Sequence, residues 1–214
     1  MRGAIFDMDG LLLDSEKIYQ RSWHALARER GLTLPSTFAQ EITGTGTEQS
    51  RLILRKYYPS DDPDRLLAAC KERVMAMEET ELDPKPGAAA LLKALHDAGW
   101  KLAVASSSPR DMVEKNLKKT GLDQWMHQIV CGNEVRHGKP APDIFLLAAQ
   151  RLGLDPSLCL VLEDSPSGLR AAQAAGCRPV MVPDQVPPTP ELTAFCAVYP
   201  SLLHVLEDIQ AGKL

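Results

Sequence analysis

Short apolar runs that end abruptly in polar residues recur along the chain. They lie at 3–6, 101–105, 128–131, 158–162 and 179–182. A continuous hydrophobic run that stops at a polar loop is typical of a strand buried on both faces of a parallel sheet. The pattern therefore predicts that these runs are the strands of one parallel sheet.

Amphipathic stretches of helical length separate most of these runs. Between 86 and 98 the leucines form a single apolar stripe, and Gly99 suits the position just after a helix end. Ser108 with Pro109, and Ser165 with Pro166, predict two further helix starts, with serine as the N-cap and proline as the first helical residue. Strands that alternate with helices of this length predict an α/β fold in which helices cover both faces of the sheet.

One long segment after the first strand breaks the alternation, because it holds helical patterns but no convincing strand. The helical patterns cover 18–30, 47–57 and 63–79. We therefore expect a Rossmann-like core domain formed by residues 1–14 and 83–214. A small all-helical domain of four helices, residues 15–82, would be inserted after the first strand.

The composition excludes several classes of protein. The 214 residues include 24 Lys and Arg against 28 Asp and Glu, a net charge of −4 without a basic cluster, so we expect no nucleic-acid partner. The five cysteines contain no Cys-x-x-Cys pair, which argues against a zinc site or a disulfide framework and fits a reducing cytosol. Because no apolar run approaches about 20 residues, we expect a soluble cytoplasmic protein without a membrane partner, monomeric by default.

Polar residues follow the predicted strands at the edge of the sheet where ligands of open α/β folds bind. They are Asp7, Asp9, Ser106, Glu163 and Asp164, and Lys139 lies in a loop between two strands. Asp7 and Asp9 are two positions apart in an extended segment, which should turn both carboxylates to one side. A cation relieves the repulsion between buried carboxylates, and a set of oxygen ligands favours Mg²⁺. Each residue alone is more typical of a turn or a helix cap, so the prediction rests on their joint placement.

Four segments resemble the signature motifs of the haloacid dehalogenase-like (HAD) superfamily, in the order in which the family has them. They are 6–16, 104–108, 139–145 and 162–168. The inserted helices resemble the cap domain of the subgroup that contains β-phosphoglucomutase and many small-metabolite phosphatases. The resemblance implies a Mg²⁺-dependent phosphomonoester hydrolase that acts on a sugar phosphate or a nucleotide-like compound through an aspartyl-phosphate. Its cap would close over the site, exclude water and select the leaving group.

The resemblance also implies roles for the residues of the first three motifs. Asp7 would be the nucleophile that attacks phosphorus. Asp9 would be the general acid that protonates the leaving oxygen, and then the base that activates water. Ser106 and the backbone N–H of Ser107 would hold the phosphoryl oxygens, and Lys139 would neutralise their charge.

The same resemblance implies a Mg²⁺ site. Asp7, Asp164 and the backbone carbonyl of Asp9 would be ligands, and Glu163 would be either a further ligand or a residue that orients one. Dehalogenases of the superfamily lack the second aspartate of the first motif, since displacement of halide needs no proton for the leaving group. Asp9 therefore favours phosphoryl chemistry.

Three departures from the family pattern favour a phosphatase over a β-phosphoglucomutase-like phosphomutase, which is the alternative within the subgroup. The turn at 43–47 has no arginine for a second phosphate, Tyr19 stands where the mutase has His, and Pro109 stands where it has Lys. The segment 105–109 resembles sugar-phosphate phosphatases, whereas 7–14 and 180–184 resemble the pseudouridine 5′-phosphatase branch, and both stay open. A catalytically idle HAD-fold binding or regulatory module is the alternative from a different class.

Overall fold

A six-stranded parallel sheet forms the centre of the protein. The computed structural model describes residues 2–214, apart from the side chain of Thr47. The strands are β1 (Gly3–Phe6), β2 (Lys101–Ser106), β3 (Gln128–Cys131), β4 (Cys159–Glu163), β5 (Arg178–Met181) and β6 (Ala197–Val198). Their order in the sheet is β3-β2-β1-β4-β5-β6, and every neighbouring pair is parallel. Every predicted run is a strand, and the two-residue β6 extends one edge.

Helices lie between successive strands along the chain, and the last helix follows β6. They are α1 (Glu16–Glu29), α2 (Thr37–Ile42), α3 (Thr47–Tyr57), α4 (Pro63–Glu81), α5 (Ala88–Asp97), α6 (Arg110–Thr120), α7 (Asp143–Leu152), α8 (Pro166–Ala174), α9 (Pro190–Thr193) and α10 (Leu202–Gln210). Helices α1 to α4 stand between β1 and β2, which confirms an all-helical cap inserted after the first strand. Among residues 2–214, none of the helices is both long enough and apolar enough to cross a lipid bilayer.

Alternate residues of the strands face two separate hydrophobic layers. On one side, Phe6, Val104 and Leu162 belong to a layer with the buried residues of α5, α6 and α10. On the other side, Ile5 belongs to a layer with buried residues of α7 and α8, such as Phe145. Because the central strands are buried on both faces, close packing fixes their carboxyl ends and the polar residues that follow them.

The structure confirms one predicted helix start and corrects the other. Ser165 is the N-cap of α8, and its Oγ accepts a hydrogen bond from the backbone N–H of Gly168 at 3.1 Å. In α6 the N-cap is Pro109, one residue later than predicted. Ser108 does not cap this helix because its hydroxyl donates a hydrogen bond to Asp9 at 3.0 Å.

The cap has a small aromatic core of its own. The rings of Trp23, Phe38 and Tyr58 lie with centroids 6.0, 6.3 and 6.5 Å apart, in tilted or edge-on pairs. The Tyr58 hydroxyl donates a hydrogen bond to the backbone oxygen of Trp23 at 2.9 Å. These contacts join α1, α2 and the segment after α3, so they hold the cap helices together.

Two linkers join the cap to the sheet, and they run side by side. The backbone N–H of Asp14 donates to the oxygen of Asp83 at 2.9 Å, and that of Lys85 donates to the oxygen of Leu12 at 2.8 Å. The paired linkers therefore form a short antiparallel ribbon, with an isolated bridge at its centre. The chain leaves the sheet and returns to it at almost the same point.

Lys85 ties this ribbon to the sheet side of the molecule. Its Nζ lies 2.7 Å from a carboxylate oxygen of Asp184, in the loop after β5, and 3.6 Å from one of Asp14. The predicted domain limits, 1–14 and 83–214 for the core and 15–82 for the cap, fall within the ribbon and stay a prediction.

Candidate active site

The ammonium group of Lys139 contacts groups at the carboxyl ends of three central strands, β1, β2 and β4. Its Nζ donates to Asp7 Oδ1 at 2.5 Å, to Glu163 Oε1 at 2.6 Å and to the backbone oxygen of Ala105 at 3.1 Å. Burial alone would lower the pKa of Lys139, but the charges of Asp7 and Glu163 outweigh burial and hold that pKa above its usual value. The ammonium is therefore charged at neutral pH.

Glu163 is fully buried and uses both of its carboxylate oxygens. While Oε1 accepts from Lys139, Oε2 accepts from the backbone N–H of Asp164 and from the N–H and hydroxyl of Ser165, at 2.9 to 3.1 Å. Gly168 packs against this carboxylate so closely that a Cβ there would collide with it. Glu163 is thus held rigidly, in a position to orient both Lys139 and the backbone at Asp164.

Asp9 has partners of a different kind. The hydroxyl of Ser15 donates to Oδ1 at 2.9 Å, and that of Ser108 donates to Oδ2 at 3.0 Å. Burial raises the pKa of Asp9, and these hydrogen bonds only partly oppose the rise. A carboxyl that is held by two hydroxyls and has a raised pKa is suited to proton transfer.

Three buried carboxylates could share a cation. Asp7, Glu163 and Asp164 can each place one oxygen within 4.8 Å of the others. Burial raises the pKa of Asp7 to about 8 although Lys139 opposes the rise, so a further cation beside Asp7 is needed to keep this carboxyl ionised at neutral pH. Burial and the charge of Glu163 raise the pKa of Asp164 well above its usual value. Because the ligand atoms are all oxygens and one ammonium cannot balance three carboxylates, the site fits a hard divalent cation.

These groups face a cleft of about 540 Å³ between the sheet and the cap. The sheet side contributes Asp7, Asp9, Ser107, Lys139 and Asp164, and the cap side contributes Glu16 and the turn at 43–46. The cap therefore covers the carboxylates and limits how much water reaches them.

The cap turn touches the sheet side directly. Ser167 Oγ donates a hydrogen bond to the backbone oxygen of Gly44 at 3.1 Å. Gly44 has a φ of +68°, and a Cβ built there would lie 3.1 Å from the Cβ of Ser165. Glycine at this position permits both the left-handed turn and the close approach of cap to sheet.

Comparison with known proteins places this arrangement in a family. The family model described as haloacid dehalogenase-like hydrolase matches residues 1–176. The chain belongs to the haloacid dehalogenase-like hydrolases. The family match confirms the resemblance of the four sequence motifs to those of this HAD hydrolase family.

Relatives of the HAD hydrolase include phosphatases with different substrates. The chain is 39% identical over 189 residues to the "Probable pseudouridine-5′-phosphatase" of Drosophila melanogaster, covering 85% of this chain and 81% of that protein. It is 33% identical over 215 residues to hexitol phosphatase A of Escherichia coli K12, covering 99% of this chain and 94% of that protein. A HAD family hydrolase of Deinococcus radiodurans R1, solved with bound phosphate and sodium, is 31% identical with a TM-score of 0.81, covering 100% and 97% of the two chains.

The structure brings the sequence-predicted residues of the HAD hydrolase to one place. Those that line the cleft are Asp7, Asp9, Ser107, Lys139 and Asp164. Glu163 and Ser106 are buried behind it, and Ser106 Oγ accepts a hydrogen bond from the backbone N–H of Ser108 at 3.1 Å. Sequence analysis gives no role to the Ser15 hydroxyl and assigns Ser108 to a helix cap, whereas both hydroxyls hold Asp9. Both lie inside the resembling motifs, but only the folded chain brings them to that carboxyl.

Proposed function

We propose that this HAD hydrolase is a Mg²⁺-dependent phosphatase that releases inorganic phosphate from a small phosphorylated metabolite. The observation that carries the proposal is that one cleft holds two carboxyls in unlike surroundings. Asp7 lies against the ammonium of Lys139, and Asp9 lies between two hydroxyls. Unlike surroundings allow one carboxyl to act as a nucleophile while the other carries a proton.

Asp7 is the proposed nucleophile. Its carboxylate oxygen attacks phosphorus, the bond from phosphorus to the leaving oxygen breaks, and the phosphoryl group becomes an aspartyl-phosphate. Asp9 in its acid form gives its proton to the leaving oxygen. It then takes a proton from the water that attacks the intermediate, which releases phosphate and restores Asp7.

Lys139 and the turn after β2 are the proposed phosphate-binding groups. Lys139 Nζ lies 2.5 Å from Asp7, so its charge also lies beside the phosphoryl group that Asp7 receives. The backbone N–H of Ser107 would hold a further phosphoryl oxygen. Ser106 supports this turn, because its Oγ accepts the hydrogen bond from the N–H of Ser108.

Mg²⁺ would be held by Asp7, Asp164 and the backbone carbonyl of Asp9. Bound there, it would offset the charge of carboxylates and phosphate, so that an anionic nucleophile can approach an anionic ester. Because both oxygens of Glu163 already accept hydrogen bonds, we assign that residue to orienting Lys139 and Asp164.

Hydrolysis fits the charges around the cleft better than phosphomutase chemistry does. A mutase must retain a bisphosphate intermediate, which requires a second cationic group. Arg51 contacts Glu48 and lies 2.8 Å from Asp64, and Lys56 lies 2.9 Å from Glu41, so these two cations after the cap turn are engaged elsewhere. Among the described residues that line the cleft, Lys139 is the one cation.

The cysteines bear on the compartment of the enzyme, and the cleft bears on the kind of molecule that it binds. All five cysteines are buried and free. Free thiols persist in reducing compartments, so we place the enzyme in the cytoplasm. The covered cleft favours a small phosphorylated molecule as its partner.

The test of hydrolysis against phosphomutase chemistry uses β-glucose 1-phosphate with a catalytic amount of glucose 1,6-bisphosphate. We expect release of phosphate from monophosphates without stimulation by the bisphosphate, because water intercepts the aspartyl-phosphate when no second cation holds an acceptor. Phosphate release and glucose 6-phosphate formation are measured side by side. Glucose 6-phosphate formed much faster than phosphate would contradict the proposal. Failure to release phosphate from a broad panel of sugar phosphates, nucleotides and aryl phosphates would favour a binding module instead.

Removal of divalent metal with EDTA is expected to lower phosphate release by about 100-fold or more, since charge neutralisation at the reacting phosphate contributes several kcal/mol. Added Mg²⁺ should restore activity. Without substrate, Mg²⁺ should also raise the melting temperature, because it binds carboxylates that repel one another in the folded state.

Asp164→Asn should remove that rise in melting temperature, while Asp83→Asn, at an exposed carboxylate, should keep it. Full activity in excess EDTA would eliminate the metal from the proposal.

A further inference from the structure

A cavity of about 190 Å³ extends from the cleft into the cap. It shares Glu16 and the turn residues 43–45 with the cleft, so the two spaces adjoin at these residues. One wall of this cap chamber is apolar, with Trp23, Ile42 and Leu67. Since a cavity of about 150 Å³ can hold benzene, the cap chamber has room for one ring or a short chain.

Glu16 stands where the cleft meets the cap chamber, at the start of α1. Its Oε2 accepts a hydrogen bond from Thr43 Oγ1 at 3.1 Å, and Thr43 Oγ1 accepts one from Gln20 Nε2 at 3.4 Å. Because a hydroxyl has one proton to give, the bonds run in one direction, from Gln20 through Thr43 to Glu16. They fix the carboxylate by one oxygen, and Oε1 has no hydrogen-bond partner within the described part of the chain.

Negative charge predominates around Glu16, because Asp9 and Asp184 each act on it more strongly than the cation Lys85 does. Among the described residues that line the cleft or the cap chamber, Lys139 is the one cation, and it is already bonded to Asp7 and Glu163. Burial raises the pKa of Glu16 to about 7, and the charge of Asp9 adds to the rise. A ligand that brings hydrogen-bond donors to this carboxylate would stabilise it, whereas a ligand with a second anionic group would be repelled.

We infer that Glu16 determines specificity, because its free oxygen accepts a hydrogen bond from a hydroxyl or N–H group of an uncharged leaving group in the cap chamber. The inference rests on the proposed phosphatase function and adds the class of substrate. The substrates are monophosphates whose leaving group is neutral, about one ring in size and a hydrogen-bond donor. Polyhydroxy compounds and nucleosides both have this chemistry.

The test compares phosphate monoesters whose leaving groups differ in the number of hydrogen-bond donors. Sorbitol 6-phosphate and hexyl phosphate both release a six-carbon primary alcohol, and only sorbitol carries further hydroxyls. Uridine 5′-monophosphate represents the nucleoside source. In wild type, kcat/KM for at least one donor-bearing substrate should exceed that for hexyl phosphate.

Glu16→Met keeps the length of the side chain but removes the acceptor. It should lower the ratio of kcat/KM for the donor-bearing substrate to that for hexyl phosphate about ten- to a hundredfold, as expected when a hydrogen bond to a charged group is lost. Glu16→Gln, which keeps one amide oxygen, should recover part of the ratio. Glu29→Met makes the same change at an exposed position at the other end of α1 and should leave the ratio as in wild type.

The substrate whose ratio falls in Glu16→Met shows which kind of leaving group Glu16 binds. A fall for sorbitol 6-phosphate indicates a polyhydroxy compound, and a fall for uridine 5′-monophosphate indicates a nucleoside. A wild-type ratio near one for both donor-bearing substrates would overturn the inference. Ratios that Glu16→Met leaves unchanged would also overturn it, even if absolute rates fall, because a merely structural residue affects all substrates alike. A folded wild type that releases phosphate from none of them, nor from p-nitrophenyl phosphate, would contradict the proposed function instead.

Discussion

Asp7→Asn should abolish phosphate release, with a fall in kcat of about 10⁴-fold or more, as is usual when a nucleophile is removed. An amide cannot accept the phosphoryl group as a carboxylate does. The fold should persist, because Lys139 keeps its bonds to Glu163 and to the backbone of Ala105. Turnover of p-nitrophenyl phosphate with Mg²⁺ measures the loss, and the melting temperature shows that the variant is folded.

Asp97→Asn is the matched control, since Asp97 is an exposed carboxylate that pairs with Lys93 on the surface of α5. It should keep wild-type turnover. A folded Asp7→Asn protein with more than about a tenth of wild-type activity would show that another group attacks phosphorus.

Asp9→Asn should slow turnover by about 10²- to 10⁴-fold while leaving the Mg²⁺-induced rise in melting temperature in place. The side chain supplies the proton, whereas the proposed metal ligand at this position is the backbone carbonyl. Ser15 and Ser108 can still contact the amide, so the loop should keep its shape. The loss should be larger for hexyl phosphate than for p-nitrophenyl phosphate, because an alkoxide needs a proton to leave and a nitrophenolate does not.

Asp14→Asn serves as the control for Asp9→Asn. Asp14 lies in the linker and contacts Lys17 and Lys85, outside the cleft. Asp14→Asn should change the turnover of hexyl phosphate and of p-nitrophenyl phosphate to the same extent. If Asp9→Asn slows hexyl phosphate less than tenfold, or slows both substrates to the same extent, Asp9 is not the proton donor.

Hydrophobic runs predicted the sheet well because burial on both faces leaves a signal within the strand itself. The run at 3–6 shows this, as each of its residues is buried. Strand β6 was not predicted, because it has only two residues, Ala197 and Val198, and two residues are too few to show a hydrophobic pattern. The start of α6 was predicted one residue early, because the capping signal of Ser108 is local while its actual partner, Asp9, is 99 residues away.

The candidate site was predictable where a residue type and its position after a strand coincide. Asp7 and Asp164 are of this kind, and both line the cleft. The two alternatives for Glu163 could not be separated from the sequence, since the choice depends on how far Lys139 reaches across the sheet. The position of Glu16 between the cleft and the cap chamber depends on how the cap packs over the sheet, which no local pattern encodes.

The paired linkers have a consequence for how such enzymes diversify. The helices α1 to α4 leave and rejoin the sheet through neighbouring strands of one ribbon, while Asp7, Lys139 and Asp164 all lie outside them. When the ends of an inserted segment are already close, its length adds little to the entropic cost of closing it. A different helical module could therefore replace this one at the ribbon and leave the reacting carboxylates where they are. In such an architecture, new substrate preferences can arise by exchange of whole modules as well as by point substitution.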